Sequence, residues 1–594
     1  MSGFVGYWGC GANEDLELLL TRCLDAGPQP VQRLNLTEPP ANKKHPTLAG
    51  VARWGLSARA ERLATGGNVL LSASLAASCL PATEDVWVKA EPGCLRLGRE
   101  AFGRATLYWT QQEGVVWFAS RIQSLLPLLA SKPVALDALY GYSCFSFVPT
   151  PLTPVQNVYS IPAGEELTWR PDASRDVVAL ERDSVRLSEW QDGEPQIESE
   201  RDATQQLRGL LEKAIDRQLG DCSSGTVAVF LSGGLDSSVT AALLVRAGIT
   251  VRAYTLDFGE FGFSEVPYAE RVAEALSIPL VRVPATPQRI RDAIDTTTRA
   301  LDIPFGDGVT VPLLLLCEAA KDDSTIVFNG EGGDQLFGGW TNKPLIASRV
   351  YQDHHPDGSQ FNQHYLRTFH RLHGYESSAF TDAARTEMAR VDPLDWLSPA
   401  LDDEFTNTLL HRLRRANLML KGAQNIQPRA TALAHANCMS VRTPFCDPEI
   451  GAWTFRLAGD LCLRGPCEKY LLKRAVEDWL PSDIVWREKR GMGVPLTAWC
   501  LGPLAGVIDE RLNASVLEAE GRYLPDLPSR VAQGRLSGHV QGRRIGEILW
   551  LLLMWEAWRQ TVLKEEIEHS TNNWLRLPRR WRQFRARHWE ENLR

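Results

Sequence analysis

Residues 1 to about 190 carry their apolar positions in short runs: FVGYW, NVLLSAS, VWVKA, ATLYWT and VVWFAS. Gly, Pro and Asn separate the runs, which predicts a domain built mainly of strands. Within it, ATLYWT–QQEG–VVWFAS (105–120) predicts a β-hairpin, and RIQSLLPLLA after it a short helix. A polar stretch, WQDGEPQIESERDATQQ (190–206), predicts a linker. From about 203 the period changes. QQLRGLLEKAIDRQL is amphipathic, TVAVFL reads as a buried strand, and DSSVTAALLVRAG as a helix closing at Gly248. VRAYTLDF, PLVRVPA and TIVFNG read as further strands, with EVPYAERVAEALSI as a helix between the first two. Apolar strands alternating with helices predict a parallel, doubly wound sheet. Beyond 340 the pattern is mostly helical. ILWLLLMW (548–555) is too short to span a bilayer and predicts a core helix.

Composition narrows the class. A chain of 594 residues is long enough for two or three domains with sizeable cores. Its net charge of −8 argues against a broad nucleic-acid-binding surface. The 12 cysteines are scattered without CxxC or zinc spacing, which predicts buried, reduced thiols. No basic segment followed by an apolar one opens the chain, so a cytoplasmic protein is expected, with no membrane span. The final segment, TNNWLRLPRRWRQFRARHWEENLR, is rich in Arg and Trp and is read as a helix covering an apolar face.

Two segments carry chemistry. In VAVFLSGGLDSS (227–238) a buried strand runs into Ser232, Gly233, Gly234, Leu235, Asp236 and Ser237, and a helix follows at once. Glycines admit a ligand close to the backbone, and turn N–H groups with a helix N-terminus form an anion site. Ser232 and Ser237 add hydroxyl donors. Asp236 is wrong for a bare anion and right if Mg²⁺ lies between it and phosphates. The loop lacks the Lys of the GxxxxGK[ST] motif; it resembles the pyrophosphate loop of the N-type ATP pyrophosphatases. In TIVFNGEGGDQLFGGW (325–340) a second strand ends in a glycine-rich acidic turn, which would face the first loop across the sheet's carboxyl edge. There Asp334 would be a second carboxylate for Mg²⁺ and Glu331 a base or substrate contact.

With both segments in place, the chain resembles the asparagine synthetase family. IPFGDGVTVP (303–312), SVRTPFCDPEI (440–450), EKYLLKRAVEDWLP (468–481) and WREKRGMGVP (486–495) agree in order, and GREAFGRATLYW and VVWFASRIQSLL resemble the end of the family's glutaminase domain. The resemblance implies an α/β protein. Residues 1–195 would be a β-rich, N-terminal-nucleophile-type (αββα) domain. Residues 203–565 would be a doubly wound ATP-pyrophosphatase domain with a helical C-terminal part, leaving 566–594 as the basic tail. It also implies ATP and Mg²⁺ as cofactors, adenylation of a carboxylate with release of pyrophosphate, and attack by an amine. Carried over, Ser232, Gly233, Gly234 and Ser237 hold pyrophosphate, and Asp236 and Asp334 hold Mg²⁺. Leu231, Asn329 and Gly330 line the nucleotide site, and Glu331 orients or deprotonates the amine. Lys489 neutralises developing charge, with Lys469 the weaker candidate for that task.

The chain also departs from the family. Glutamine-dependent members have Cys after the initiator Met, where this chain has Ser2. The glutamine-binding Asn-Gly-Glu turn and the Arg-Gly-Pro-Asp element are missing, with GGNVLLSAS (66–74) and WVKAEPGCLRLG near their places. The expectation is therefore a ligase whose amine belongs to its own substrate, as in lasso-peptide cyclases and β-lactam synthetases; GEGGD at 330–334 favours the former, a macrolactam cyclase joining a peptide's N-terminal amine to an Asp or Glu side chain. Its carboxylate would come from a peptide or amino-acid derivative, and its partners would be a leader peptidase or precursor-binding protein. The alternative is an asparagine synthetase using ammonia or glutamine. A catalytically dead peptide-binding protein and a tRNA-modifying pyrophosphatase fit less well.

Overall fold

The computed structural model describes residues 3–9, 20, 31–35, 47–54, 58–62, 69–73, 85–91, 93–112, 114–171, 180–187, 190–194, 196–220, 225–262, 264–339, 358–488, 491–536 and 542–563. Ser2, Lys489 and the basic tail lie outside the described residues.

Two six-stranded antiparallel sheets make the N-terminal domain. In spatial order the first comprises Tyr159–Ser160, Tyr108–Gln112, Val115–Ala119, Gly3–Gly9, Thr47–Trp54 and Val31–Asn35. The second comprises Leu180–Arg186, Glu165–Pro171, Cys94–Arg99, Val86–Glu91, Val69–Ala73 and Ala58–Arg62. The expected hairpin pairs Tyr108 with Ala119 and Gln112 with Val115. Side-chain alternation decides what each face meets. Phe4, Trp8, Trp109 and Phe118 interleave with Val86, Val88, Leu97 and Trp169 of the second sheet. Val5, Tyr7, Trp117 and Ala119 point the other way, into a core shared with the rest of the molecule. Gly3–Gly9 is thus buried on both faces, which is why its non-glycine positions are all apolar.

The segment after the hairpin differs from the predicted helix. It forms two single 3₁₀ turns, Ile122–Ser124 and Leu126–Leu128. Pro127 has no N–H to continue a helix begun before it, so the chain restarts there.

The second domain holds five parallel strands in the order Leu280–Pro284, Val251–Asp257, Val227–Phe230, Ile326–Phe328, Ser440–Arg442. Both faces are covered. Ala228, Tyr254, Val327 and Val441 join one core, while Val227, Val229, Ala253 and Phe328 join the other. Val227–Phe230 is followed on one side by the strands next in sequence and on the other by Ile326–Phe328. The order therefore reverses between these two central strands, and the crevice beyond their carboxyl ends is where such sheets bind ligands. Ser440–Arg442 was not predicted; its one apolar residue, Val441, makes no run of the kind that marks Ile326–Phe328.

The segment ILWLLLMW lies in the helix Gly542–Trp558, with every residue from Ile548 to Trp555 at most 1% exposed. It ties the domains together. Tyr142 Oη donates to the Leu551 carbonyl at 2.8 Å, and Trp550 Nε1 to the Asp307 carbonyl at 3.1 Å. No helix among the described residues is long and apolar enough to cross a membrane.

A second seam runs through Arg99, which is fully buried. Its guanidinium donates to the carbonyls of Ala105 (2.6 Å), Gly103 (2.7 Å) and Ile161 (3.2 Å), and across the domain boundary to that of Ala423 (3.0 Å). Burial pushes its pKa down to about 10 against the pull of Glu100. Gly103 leaves room for this approach, since a Cβ there would sit 2.5 Å from the Ala423 carbonyl oxygen. Ala423 belongs to Leu418–Ile426, a π-helical stretch.

His435, on the helix Gln427–Ala436, buries an Nε2 with no hydrogen-bond partner among the described residues. Burial pushes its pKa down to about 4, with Arg121 adding to the shift. A histidine shifted down on folding binds its proton more readily when unfolded. The stability it contributes is complete above about 6.5 and lost as pH falls toward 4. Urea denaturation midpoints should fall between pH 7 and pH 5, and a His435→Gln chain should show a flatter pH dependence.

Candidate active site

The strand Val227–Phe230 ends in a loop that folds on itself. Ser232 Oγ and Ser237 Oγ lie 3.2 Å apart, the Ser232 N–H donates to Ser237 Oγ at 3.2 Å, and the Gly234 N–H donates to Ser232 Oγ at 3.2 Å. Ser238 Oγ, at 2.8 Å from the Gly234 carbonyl, fastens the loop to the helix Leu235–Arg246. Asp236 stands in that helix's first turn. Leu231 differs from its neighbours. Its side chain is 1% exposed in the core, and its N–H is held by the Tyr254 carbonyl at 2.9 Å.

Beyond Ile326–Phe328 the second loop packs directly on the first. A Cβ at Gly333 would lie 2.5 Å from Asp236 Cγ, so glycine is what lets the two acidic loops meet. Asn329 is anchored by its N–H on the Arg442 carbonyl at 3.0 Å, and its Oδ1 accepts the Glu331 N–H at 3.2 Å. The predicted strand–turn segments therefore bring Ser232, Gly233, Gly234, Asp236 and Ser237 together with Asn329, Gly330, Glu331 and Asp334 at one crevice.

One lysine joins the two loops. Lys469 Nζ lies 2.7 and 2.6 Å from the two Asp236 oxygens and 2.5 Å from Asp334 Oδ1. Its side chain is 2% exposed, against 12% for Asp236 and 29% for Asp334. Its backbone is left-handed, at φ 53°, just before the helix Tyr470–Val476. That conformation costs a residue with a Cβ roughly 1–2 kcal/mol, which the triple ion pair offsets. The neighbouring Lys473 is also buried, with Nζ 3.5 Å from Glu468 Oε1 and 3.3 Å from the Arg487 carbonyl. Lys489 of WREKRG, the first candidate for the charge work, lies outside the described residues; Lys469 of EKYLLK, the second candidate, reaches both carboxylates.

The far wall was largely missed in the sequence. Asp307, in IPFGDGVTVP, is ion-paired with Arg429 and accepts from Thr310 Oγ1 at 2.9 Å. Burial alone would raise its pKa, but the Arg429 charge and the Thr310 hydrogen bond outweigh it and hold Asp307 below the usual carboxylate range. Cys446 accepts from Gln427 Nε2 at 3.0 Å and points its thiol at the Glu331 carbonyl, 3.8 Å away. Burial pushes that thiol well up, so it stays protonated and is no nucleophile.

A nucleotide-type loop and an acidic turn flank a topological switch point, and a buried lysine spans their carboxylates. Fold and site define an ATP-dependent, AMP-forming carbon–nitrogen ligase. The chain belongs to the asparagine synthase family, whose model matches residues 206–560, more than half of its length. A glutamine amidotransferase domain model matches residues 85–177. A putative glutamine-hydrolyzing asparagine synthetase of Mycobacterium tuberculosis (strain H37Rv) is 26% identical over 80% of this chain and 74% of its own length. Asparagine synthetase [glutamine-hydrolyzing] 1 of Bacillus subtilis is 23% identical over 80% of this chain and 77% of its own.

Removing Lys469 leaves two carboxylates facing each other across a partly buried gap. Lys469→Met should lower unfolding stability by about 3–5 kcal/mol. Adding Asp334→Asn should recover part of that loss, a coupling read from denaturant melts of the single and double variants.

Proposed function

We propose that this protein activates a carboxylate as its acyl-adenylate in the switch-point crevice and transfers the acyl group to ammonia, making asparagine from aspartate. The observation that carries the reading is the convergence of Asp236 and Asp334, from the two loops, on Lys469. Ser232, Gly233, Gly234 and Ser237 present hydroxyl and backbone donors to pyrophosphate, and Asn329 and Gly330 border the nucleotide. Leu231 contributes backbone only, since its side chain is in the core.

The two carboxylates also fit a divalent cation. They already share one positive charge at 2.5–2.7 Å, and their oxygens are the hard donors that Mg²⁺ takes alongside phosphates. Asp236 and Asp334 would hold the ion, which would offset charge on the phosphates. Lys469 supplies a fixed cation beside the α-phosphate, where negative charge grows during adenylation. Lys489, in WREKRG, is proposed for the same charge work. Glu331, backed by the Asn329 turn, takes the proton that the attacking amine must lose.

The relatives' names favour asparagine formation over the macrolactam cyclisation expected from the N-terminal departures. Those departures are still used here, for the amine. With Ser2 in place of Cys and no glutamine-binding turn in the sequence, ammonia is the proposed donor, and a cytoplasmic setting is part of the same proposal.

With ATP, Mg²⁺, aspartate and ammonia, the protein should release AMP, pyrophosphate and asparagine. Asp236→Ala and Asp334→Ala should each lower that rate by about a hundredfold or more. Production of ADP and phosphate in place of AMP and pyrophosphate would reject adenylation. Ser2→Ala should leave the ammonia-driven rate intact; a large loss in that variant, or robust synthesis from glutamine by the unaltered chain, would overturn the assignment of the amine.

A further inference from the structure

The π-helical stretch Leu418–Ile426 is gripped from two sides. On the N-terminal domain's side, Arg99 donates to the Ala423 carbonyl at 3.0 Å, and the Thr150 N–H donates to Gln424 Oε1 at 2.9 Å. On the other side Gly422 faces Gln335, next to Asp334; a Cβ there would lie 3.7 Å from Gln335 Cγ. Nine residues of π-helix are unusual, and such distortions recur where a side chain must be re-aimed at a functional site.

The residue at this position is Lys421. Its side chain is exposed although its helix is packed on both sides, which is the condition of a group lining a crevice. The surrounding protein lowers its pKa by desolvation, with Asp307, Asp334 and Glu331 pulling the other way, and among the described residues it forms no hydrogen bond or ion pair. Its neighbour Arg429 is different, being committed to Asp307 and to Asn425 Oδ1 at 3.1 Å. Lys421 is therefore a cation left available beside two acidic groups, Glu331 and Asp334, on the wall facing the pyrophosphate loop. A wall with acidic groups and one uncommitted ammonium is complementary to a zwitterion, whose ammonium and carboxylate lie on one carbon.

We propose that Lys421 binds the free α-carboxylate of the acyl substrate and so restricts the site to free amino acids over carboxyl groups inside a peptide. This rests on the adenylation reading above and specifies its substrate class. A carboxyl side chain within a peptide has an amide where a free amino acid has its α-carboxylate, and an amide would leave Lys421 without its counter-charge.

The probe is a pair of acids with the same side-chain carboxylate: L-aspartate, and L-isoasparagine, whose α-carboxylate is an amide. AMP release is measured with each for the unaltered chain, Lys421→Met and Lys421→Arg. The unaltered chain should prefer aspartate. Lys421→Met should raise the KM for aspartate roughly 10- to 100-fold with kcat and the KM for ATP little changed, erasing the preference. Lys421→Arg should restore part of it. A Lys421→Met chain that keeps the aspartate preference, or an unaltered chain that prefers isoasparagine, overturns the assignment while leaving adenylation standing. If neither acid yields AMP, the asparagine-forming reading fails. Acetylation of Lys421 by N-acetoxysuccinimide, followed by peptide mass spectrometry, then decides the lysine separately. Protection by aspartate upholds the contact, and an unchanged labelling rate removes it.

Discussion

The ion triad of Lys469 with Asp236 and Asp334 is the constraint on which the rest of the crevice depends. Two loops from neighbouring strands each end in a carboxylate, and at this separation they would repel each other without a cation between them. Lys469 supplies it from a third segment nearly 140 residues further along the chain. Its reach requires the left-handed backbone at φ 53° and the glycine at 339, where a Cβ would lie 1.8 Å from Lys469 Cε, while the glycine at 333 leaves room for Asp236. The buried Glu468–Lys473 pair then fixes the short helix that follows. Folding and function therefore draw on the same charges.

The N-terminal domain has a structural part in this arrangement. Its first strand is buried on both faces, so one of its sheets serves as a wall for the second domain's helices. Arg99 gives its hydrogen bonds to backbone carbonyls, one of them in the π-helical stretch on the crevice's far side. A buried guanidinium with that many fixed acceptors orients a segment more than it attracts one. The N-terminal domain thus enforces positions in its neighbour.

What could be read in the sequence follows from how local each signal is. The parallel sheet was legible because buried strands of four to seven residues alternate with helices, and the loops because glycine, serine and aspartate cluster directly after strands. Ser440–Arg442 was not, since Ser and Arg flank its single apolar residue, unlike the apolar run of Ile326–Phe328, and the strand exists only through its pairing with that neighbour. The helix expected after the hairpin failed at a single residue, Pro127. Lys469 drew less weight than Lys489 because only tertiary packing shows that it is turned inward, by a backbone conformation that no sequence pattern announces; Lys489 lies outside the described residues.

Lys421 marks the limit of local reading more sharply. Nothing in NLMLKGAQNI separates it from a solvated surface lysine, and its exposure alone would support that view. Its meaning comes from what stands around it: Arg429 already neutralised by Asp307, Lys469 already shared by two carboxylates, and Glu331 and Asp334 beside it on the same wall. Arg429 and Lys469 are both committed within the protein, so a substrate's anion would displace an existing pair to reach them, at the cost of leaving a buried charge unmatched. Lys421 can accept a carboxylate with no such exchange, and the selectivity of the site for a free amino acid then follows from a positive charge that no described residue pairs.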